Sequence, residues 1–166
     1  MESDLPSPIE EIIADLSDTE LPLLNSNLAG LSNLDSEGLA LFKRYWTAIE
    51  PKRRRQIVSR LVELAEDDCT FDFSIIFKHC LKDKDEDVLI KAIEGLWENE
   101  EPSLINPFID ILEQDNSVKI QTAVSIALGK FTMLAEHRKL RSDYLYRLQE
   151  VLLSTIRDNN RHSRRM

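Results

Sequence analysis

Apolar residues along this chain come in short clusters separated by charged ones, and their spacing is helical almost throughout. After Pro8, the residues Ile9, Ile12, Ile13 and Leu16 stand at i, i+3, i+4 and i+7, which predicts a helix over 8–16. A second helix is expected over 21–29, with Pro22 confined to its start and Gly30 as its stop. Asp35 or Ser36 caps a third, which runs to Ile49 and carries Leu39, Phe42, Trp46 and Ile49 on one stripe. Pro51 closes that helix and opens the next, to Glu66, whose apolar face is Ile57, Val58, Leu61, Val62, Leu64 and Ala65. Thr70 is the expected cap of a stripe made by Phe73, Ile76, Phe77, Cys80 and Leu81. A turn at 83–87 leads to Val88, Ala92, Ile93, Leu96 and Trp97. Pro102 begins a helix with Ile105, Phe108, Ile109 and Leu112. Asp115-Asn116-Ser117 turns the chain into Ile120, Val124, Ala127, Leu128 and Phe131. A last helix over 142–157 shows Leu145, Leu148, Val151, Leu152 and Ile156. Sustained alternation and Asn-Gly or Asp-Gly hairpin turns are missing, so strands are not expected.

The last two of these pairs repeat. A shift of 32 places Phe73 on Ile105, Ile76 on Phe108, Phe77 on Ile109, Cys80 on Leu112, Asp83 on Asp115, Val88 on Ile120, Ala92 on Val124 and Leu96 on Leu128. Helix pairs this small cannot bury their own stripes and gain stability by stacking on neighbours. The expected fold is therefore all-α: a right-handed α–α superhelix, or short α-solenoid, of about eight or nine helices in one domain over 8–158. Repeats fall near 36–66, 71–98 and 102–132, capping helices at 8–30 and 142–157, with disordered ends at 1–7 and 159–166.

Charge is unevenly placed. Of 30 Asp and Glu against 21 Lys and Arg, net −9, residues 1–42 hold nine acids and no base. Lys43 to Arg60 holds seven bases and one acid, Glu63 to Asp115 sixteen acids and four bases, and Arg138 onward eight bases and three acids. Such blocks govern the sign of a partner, not the fold. Lys52, Arg53, Arg54 and Arg55 form a basic patch in the first turn of the Pro51 helix. Cations there oppose the helix dipole by roughly a few tenths of a kcal/mol each, so the cluster calls for a reason. A solvated helix start paired with Glu50 or the acidic N-terminal segment supplies a plain one, as solubility does for the basic end at 161–165. Nucleic-acid binding is disfavoured, because the acidic block interrupts any continuous basic face.

Catalytic signatures are missing from the sequence. It has no Gly-rich phosphate loop, no Gly-x-Ser-x-Gly, no Cys-x-x-Cys and no His-x-x-x-His, and its histidines are His79, His137 and His162. Asp85 to Asp87 lacks the spacing and central Gly of an EF-hand loop. Neither a metal nor a cofactor is expected. Cys69 and Cys80 make no disulfide framework and point to a reducing, cytoplasmic setting, with Cys80 in the core. Trp46 and Trp97 are both core by spacing. No apolar run has the eighteen or so residues of a membrane span, and the acidic start is unlike a signal peptide.

The segments from Asp83 to Trp97 and from Asp115 to Gly129 resemble HEAT repeats, in particular the short HEAT-like kind first noted in phycobilin lyases. There an Asp-containing turn leads into a Val-Arg-x-x-Ala-x-x-x-Leu-Gly helix. The resemblance covers about Phe71 to Phe131 and departs at the family's Arg, which is Leu89 in one repeat and Gln121 in the other. The Asp-to-Arg ladder within a repeat is thus missing at those positions. The chain as a whole is similar to bacterial HEAT repeat proteins, and this implies a non-catalytic scaffold or adaptor that binds a protein or peptide. The expected contact positions are Lys91, Glu94, Gln121 and Ser125, which face away from the apolar stripes. The competing reading is a HEAT-like protein that handles nucleic acid or a small ligand, as the alkylpurine DNA glycosylases and bilin lyases do.

Overall fold

The computed structural model describes residues 8–114, 116–138 and 142–164. Among them the secondary structure is helical: α1 (Pro8–Ser17), α2 (Asn25–Ala29), α3 (Ser36–Trp46), α4 (Pro51–Asp67), α5 (Ser74–Cys80), α6 (Glu86–Gly95), a 3-10 turn (Pro102–Leu104), α7 (Ile105–Glu113), α8 (Val118–Arg138) and α9 (Ser142–Arg164). The chain divides into two compact units, one up to Leu96 and one from Trp97.

In the first unit α1 packs on α2 and α3, α2 on α4, α3 on α5, and α6 on both α4 and α5. Apolar stripes meet at its centre: Leu28, Leu31, Phe42, Trp46, Ile57, Leu61, Phe73 and Phe77 are all buried. Phe42 and Trp46 stack at 4.9 Å, one turn apart on α3. Gly95 lets the Phe77 ring lie directly against α6, because a Cβ there would fall 2.6 Å from the ring. The Asn33 backbone, at φ 53°, turns the chain so that its N–H reaches the Asp72 carbonyl at 2.9 Å. Asparagine tolerates that left-handed conformation better than most residues.

In the second unit α7 packs on α8 and α9, and α8 on α9. Phe108 meets Phe131 at 6.3 Å, and Leu148 of α9 is buried. Asn116 donates its Nδ2 to the Ile111 carbonyl at 2.6 Å, and the Ser117 hydroxyl accepts from the Ile120 N–H, so the turn closes α7 and opens α8. Every apolar position related by the 32-residue shift is buried, in Phe73, Ile76, Phe77, Cys80, Val88, Ala92 and Leu96 as in Ile105, Phe108, Ile109, Leu112, Ile120, Val124 and Leu128. Asp115, the counterpart of Asp83, lies outside the described residues.

Several boundaries differ from the expectation. The second helix starts at Asn25, not Leu21, because the extended Leu24 ends a stretch in which Pro22 has no N–H to give. Thr70 does not cap α5. It belongs to a turn closed by Asp68, and Asp72 accepts the Ser74 N–H instead. Trp97 is 45% exposed, since α6 ends at Gly95 and Leu96 takes the buried place. The last helix continues to Arg164 where a disordered tail was expected from 159, in keeping with the lack of Gly or Pro over 159–164.

One carboxylate ties the first unit together. The Asp83 side chain, 4% exposed, accepts from Trp46 Nε1 of α3 at 2.7 Å, from Arg54 Nη2 of α4 at 3.1 Å and from its own turn through the Asp85 N–H at 2.9 Å. Removing one member of a buried ion pair strands the other charge. Asp83→Ala is expected to lower stability by about 3–5 kcal/mol. Asp87→Ala, which removes a carboxylate 3.6 Å from Arg55 at the surface, should cost under about 1 kcal/mol. Urea unfolding followed by circular dichroism compares the two.

Candidate functional site

The four residues of the basic patch go to four different environments. Lys52 is exposed. Arg53 is 6% exposed and reaches across to the end of α1, donating Nε to the Leu16 carbonyl and Nη2 to the Leu21 carbonyl, both at 2.8 Å. Carbonyls of the last helical turn carry partial negative charge, so Arg53 acts as a C-terminal cap for α1. Arg54 donates Nη1 to the Ile49 carbonyl at 2.7 Å and Nη2 to Asp83, while its buried Nε has no acceptor. Arg55 grips the Asp85 carboxylate with Nε at 3.0 Å and Nη2 at 2.6 Å.

Asp85 is at the same time the N-cap of α6, accepting from the Asp87 and Val88 N–H groups. The Arg55 hydrogen bond holds its carboxyl below the usual carboxylate range, with the Val88 N–H adding to the effect and burial opposing it. Arginines of α4 thus meet the aspartates of the α5–α6 turn, and Leu89 packs into the core.

Beside α4 lies an open cleft of about 520 Å³ lined by Leu23, Arg53, Arg55, Gln56, Ser59 and Arg60. Helical spacing brings Arg53, Gln56 and Arg60 to it from one side of α4, and the turn before α2 supplies Leu23. Arg60 bonds the Asn25 side chain and lies 3.6 Å from the exposed Glu63. Among the described residues no carboxylate lines the cleft, so its chemistry is that of guanidinium, amide and hydroxyl donors.

The expected contact positions are placed as follows. Lys91 and Glu94 lie on α6 and form an exposed pair at 3.0 Å, where each partly neutralises the other. Gln121 and Ser125 lie on α8 and are half-buried. They border a feature that the periodicity concealed. α8 buries Ile120, Val124, Ala127, Leu128 and Phe131 on one side and exposes Val118, Thr122, Ile126 and Met133 on the opposite side. Gly129 falls on that outer side, with open space where a Cβ would stand. Val118, Thr122, Ile126 and Met133 are uncharged, and the exposed Lys119 lies beside Ile126 on the same side of the helix. Because α8 is apolar on two sides, a reading that follows the stronger stripe discards the weaker one.

Other reactive groups are held quiet. Cys80 is buried, its thiol pushed well above the ordinary range by loss of solvation, while Cys69 is exposed and free. Lys130 bonds the Trp97 carbonyl and, at 3.1 Å, that of Asn99, with its Nζ 5.2 Å from the Trp97 ring and 4.9 Å from the Phe131 ring. Burial lowers its pKa against the pull of Glu100 and Glu98. Among the described residues no three His, Cys, Asp or Glu side chains gather as a metal site requires, and no helix is long and apolar enough to cross a membrane. No family model, curated protein or solved structure matches the chain.

Folding depresses His79 and, in a lower range, the carboxylates Asp85, Asp72 and Asp68. His79 is half-buried against Phe42, and burial, with Lys43 and Lys82 nearby, lowers its pKa despite Asp83. A base depressed by folding contributes stability above its unfolded value, about 6.5, that is lost as pH falls through the lower folded value. Asp85, also depressed, contributes above about 3.9 and loses its share below that. Urea midpoints measured from pH 7 to 3 are therefore expected to fall in two stages. His79→Gln should flatten the first, and Asp85→Asn should reduce the second.

Proposed function

We propose that this chain is a non-catalytic protein-interaction module of HEAT-like helix pairs, a short α-solenoid working as scaffold or adaptor in the cytosol. The observation that carries this reading is the outer stripe of α8. Val118, Ile126 and Met133 are 76%, 58% and 65% exposed, on the side of the helix away from its core stripe. An apolar surface of this kind is maintained at a cost in solubility and marks a contact with another protein more often than chance exposure does. Thr122 and Gly129 between the three keep the surface low, so a partner's side chains can approach the helix backbone. Gln121 and Ser125 at its edge would give polar contacts around an apolar centre, the usual arrangement of an interface.

Cys69 and Cys80, unpaired, fit a reducing compartment. The helix-pair pattern with its 32-residue shift is the support for the HEAT-like assignment, and the Lys91–Glu94 pair on α6 is a second, polar candidate contact.

Affinity capture from native cytosol with the unaltered chain and with Ile126→Glu or Met133→Glu tests the reading. A protein recovered by the unaltered chain should fall by at least about tenfold with either variant. The urea midpoint should stay within about 0.5 kcal/mol, since both side chains are exposed. Equal recovery by all three chains would contradict the reading.

A further inference from the structure

Arg53 is an unusual charge for its surroundings. It is 6% exposed, and its two hydrogen bonds go to the neutral Leu16 and Leu21 carbonyls. Among the described residues no carboxylate pairs with it. Its remaining nitrogen, Nη1, has no acceptor there, yet it is not sealed in protein, because the sole such buried atom among the described residues is Arg54 Nε. The residue lines the cleft beside α4. A guanidinium taken this far out of water without a counter-ion is costly, and an anion in the cleft would offset the cost.

The remaining lining points the same way. Arg55 uses Nε and Nη2 on Asp85, and Arg60 uses Nη2 on Asn25, so each keeps N–H groups for a ligand. Gln56 and Ser59 add neutral donors, Asp87 and Glu63 each stand 3.6 Å from an arginine of the cleft without lining it, and Leu23 gives an apolar wall. A carboxylate offers two oxygens, whereas a phosphoryl group offers three and up to two charges, which matches several converging donors better.

We propose that the cleft formed by Leu23, Arg53, Arg55, Gln56, Ser59 and Arg60 binds a phosphoryl group, carried either by a small organic phosphate or by a phosphorylated side chain. The site belongs to the first unit and stands independently of the α8 surface.

Isothermal titration of the full chain at low ionic strength, with phenyl phosphate, with a phosphoserine peptide and with the same peptide unphosphorylated, tests it. The expected result is saturable binding of a phosphorylated probe at one equivalent per chain, and none by the unphosphorylated peptide. Tighter binding of the peptide would assign the phosphorylated side chain as the source, and tighter binding of phenyl phosphate the small molecule. Arg60→Gln leaves the clamp on α1 intact and should weaken binding by about tenfold. Arg53→Lys should weaken it at least as much, with circular dichroism confirming that the variant is folded. Absence of saturable binding by either phosphorylated probe, equal binding of the unphosphorylated peptide, or unchanged affinity in Arg60→Gln would overturn the proposal.

Discussion

The first unit depends on how a buried carboxylate and the arginines opposite it are satisfied. Asp83 sits where α3, α4 and the α5–α6 turn converge, and it accepts from an indole, a guanidinium and a backbone amide at once. A carboxylate this deep is tolerable only when its oxygens are occupied, and three donors from separate parts of the chain occupy them. The arrangement fixes register as well as contact. Trp46 must end α3 where its Nε1 reaches Asp83, and Pro51 must start α4 where Arg54 does. Arg55 and Asp85 extend the same line of contacts to the surface, and Asp85 caps α6 while doing so.

Arg53 works on the other side of the same helical turn. Successive residues of a helix point about 100° apart, so three adjacent arginines reach three neighbours: the end of α1, the Asp83 turn and the Asp85 cap. The repulsion expected among cations at the positive end of a helix is thereby spent on joining α4 to the elements around it. Arg53 is the exception in that helix-end and turn carbonyls, not a carboxylate, receive its guanidinium beside the cleft.

Helix identity was legible from periodicity because most helices of the first unit present a single apolar stripe, and the positions related by the 32-residue shift are buried as their spacing implies. Proline and glycine marked the starts of α1 and α4 and the end of α2 for simple steric reasons. The roles of Arg53, Arg54 and Arg55 were not legible. They are set by carbonyls and aspartates some thirty residues away, and a basic run reads alike whether it is solvated or clamped. The sole trace was the unfavourable placement of four cations in one first turn. Trp97 was misplaced because a stripe extrapolated two residues past the end of its helix keeps its phase while the backbone does not. On α8 the opposite limitation applies: a helix with two apolar sides loses its periodic signal, so the outer stripe emerges only from exposure.

The coupling between Arg54 and Asp83 tests this account most directly. A double-mutant cycle with Arg54→Ala, Asp83→Ala and the pair, read by urea unfolding, is predicted to give a coupling of about 2–3 kcal/mol, with the double variant more stable than the sum of the single losses allows. Additivity to within about 0.5 kcal/mol would mean that the two residues contribute independently, and would remove Asp83 from the centre of the fold.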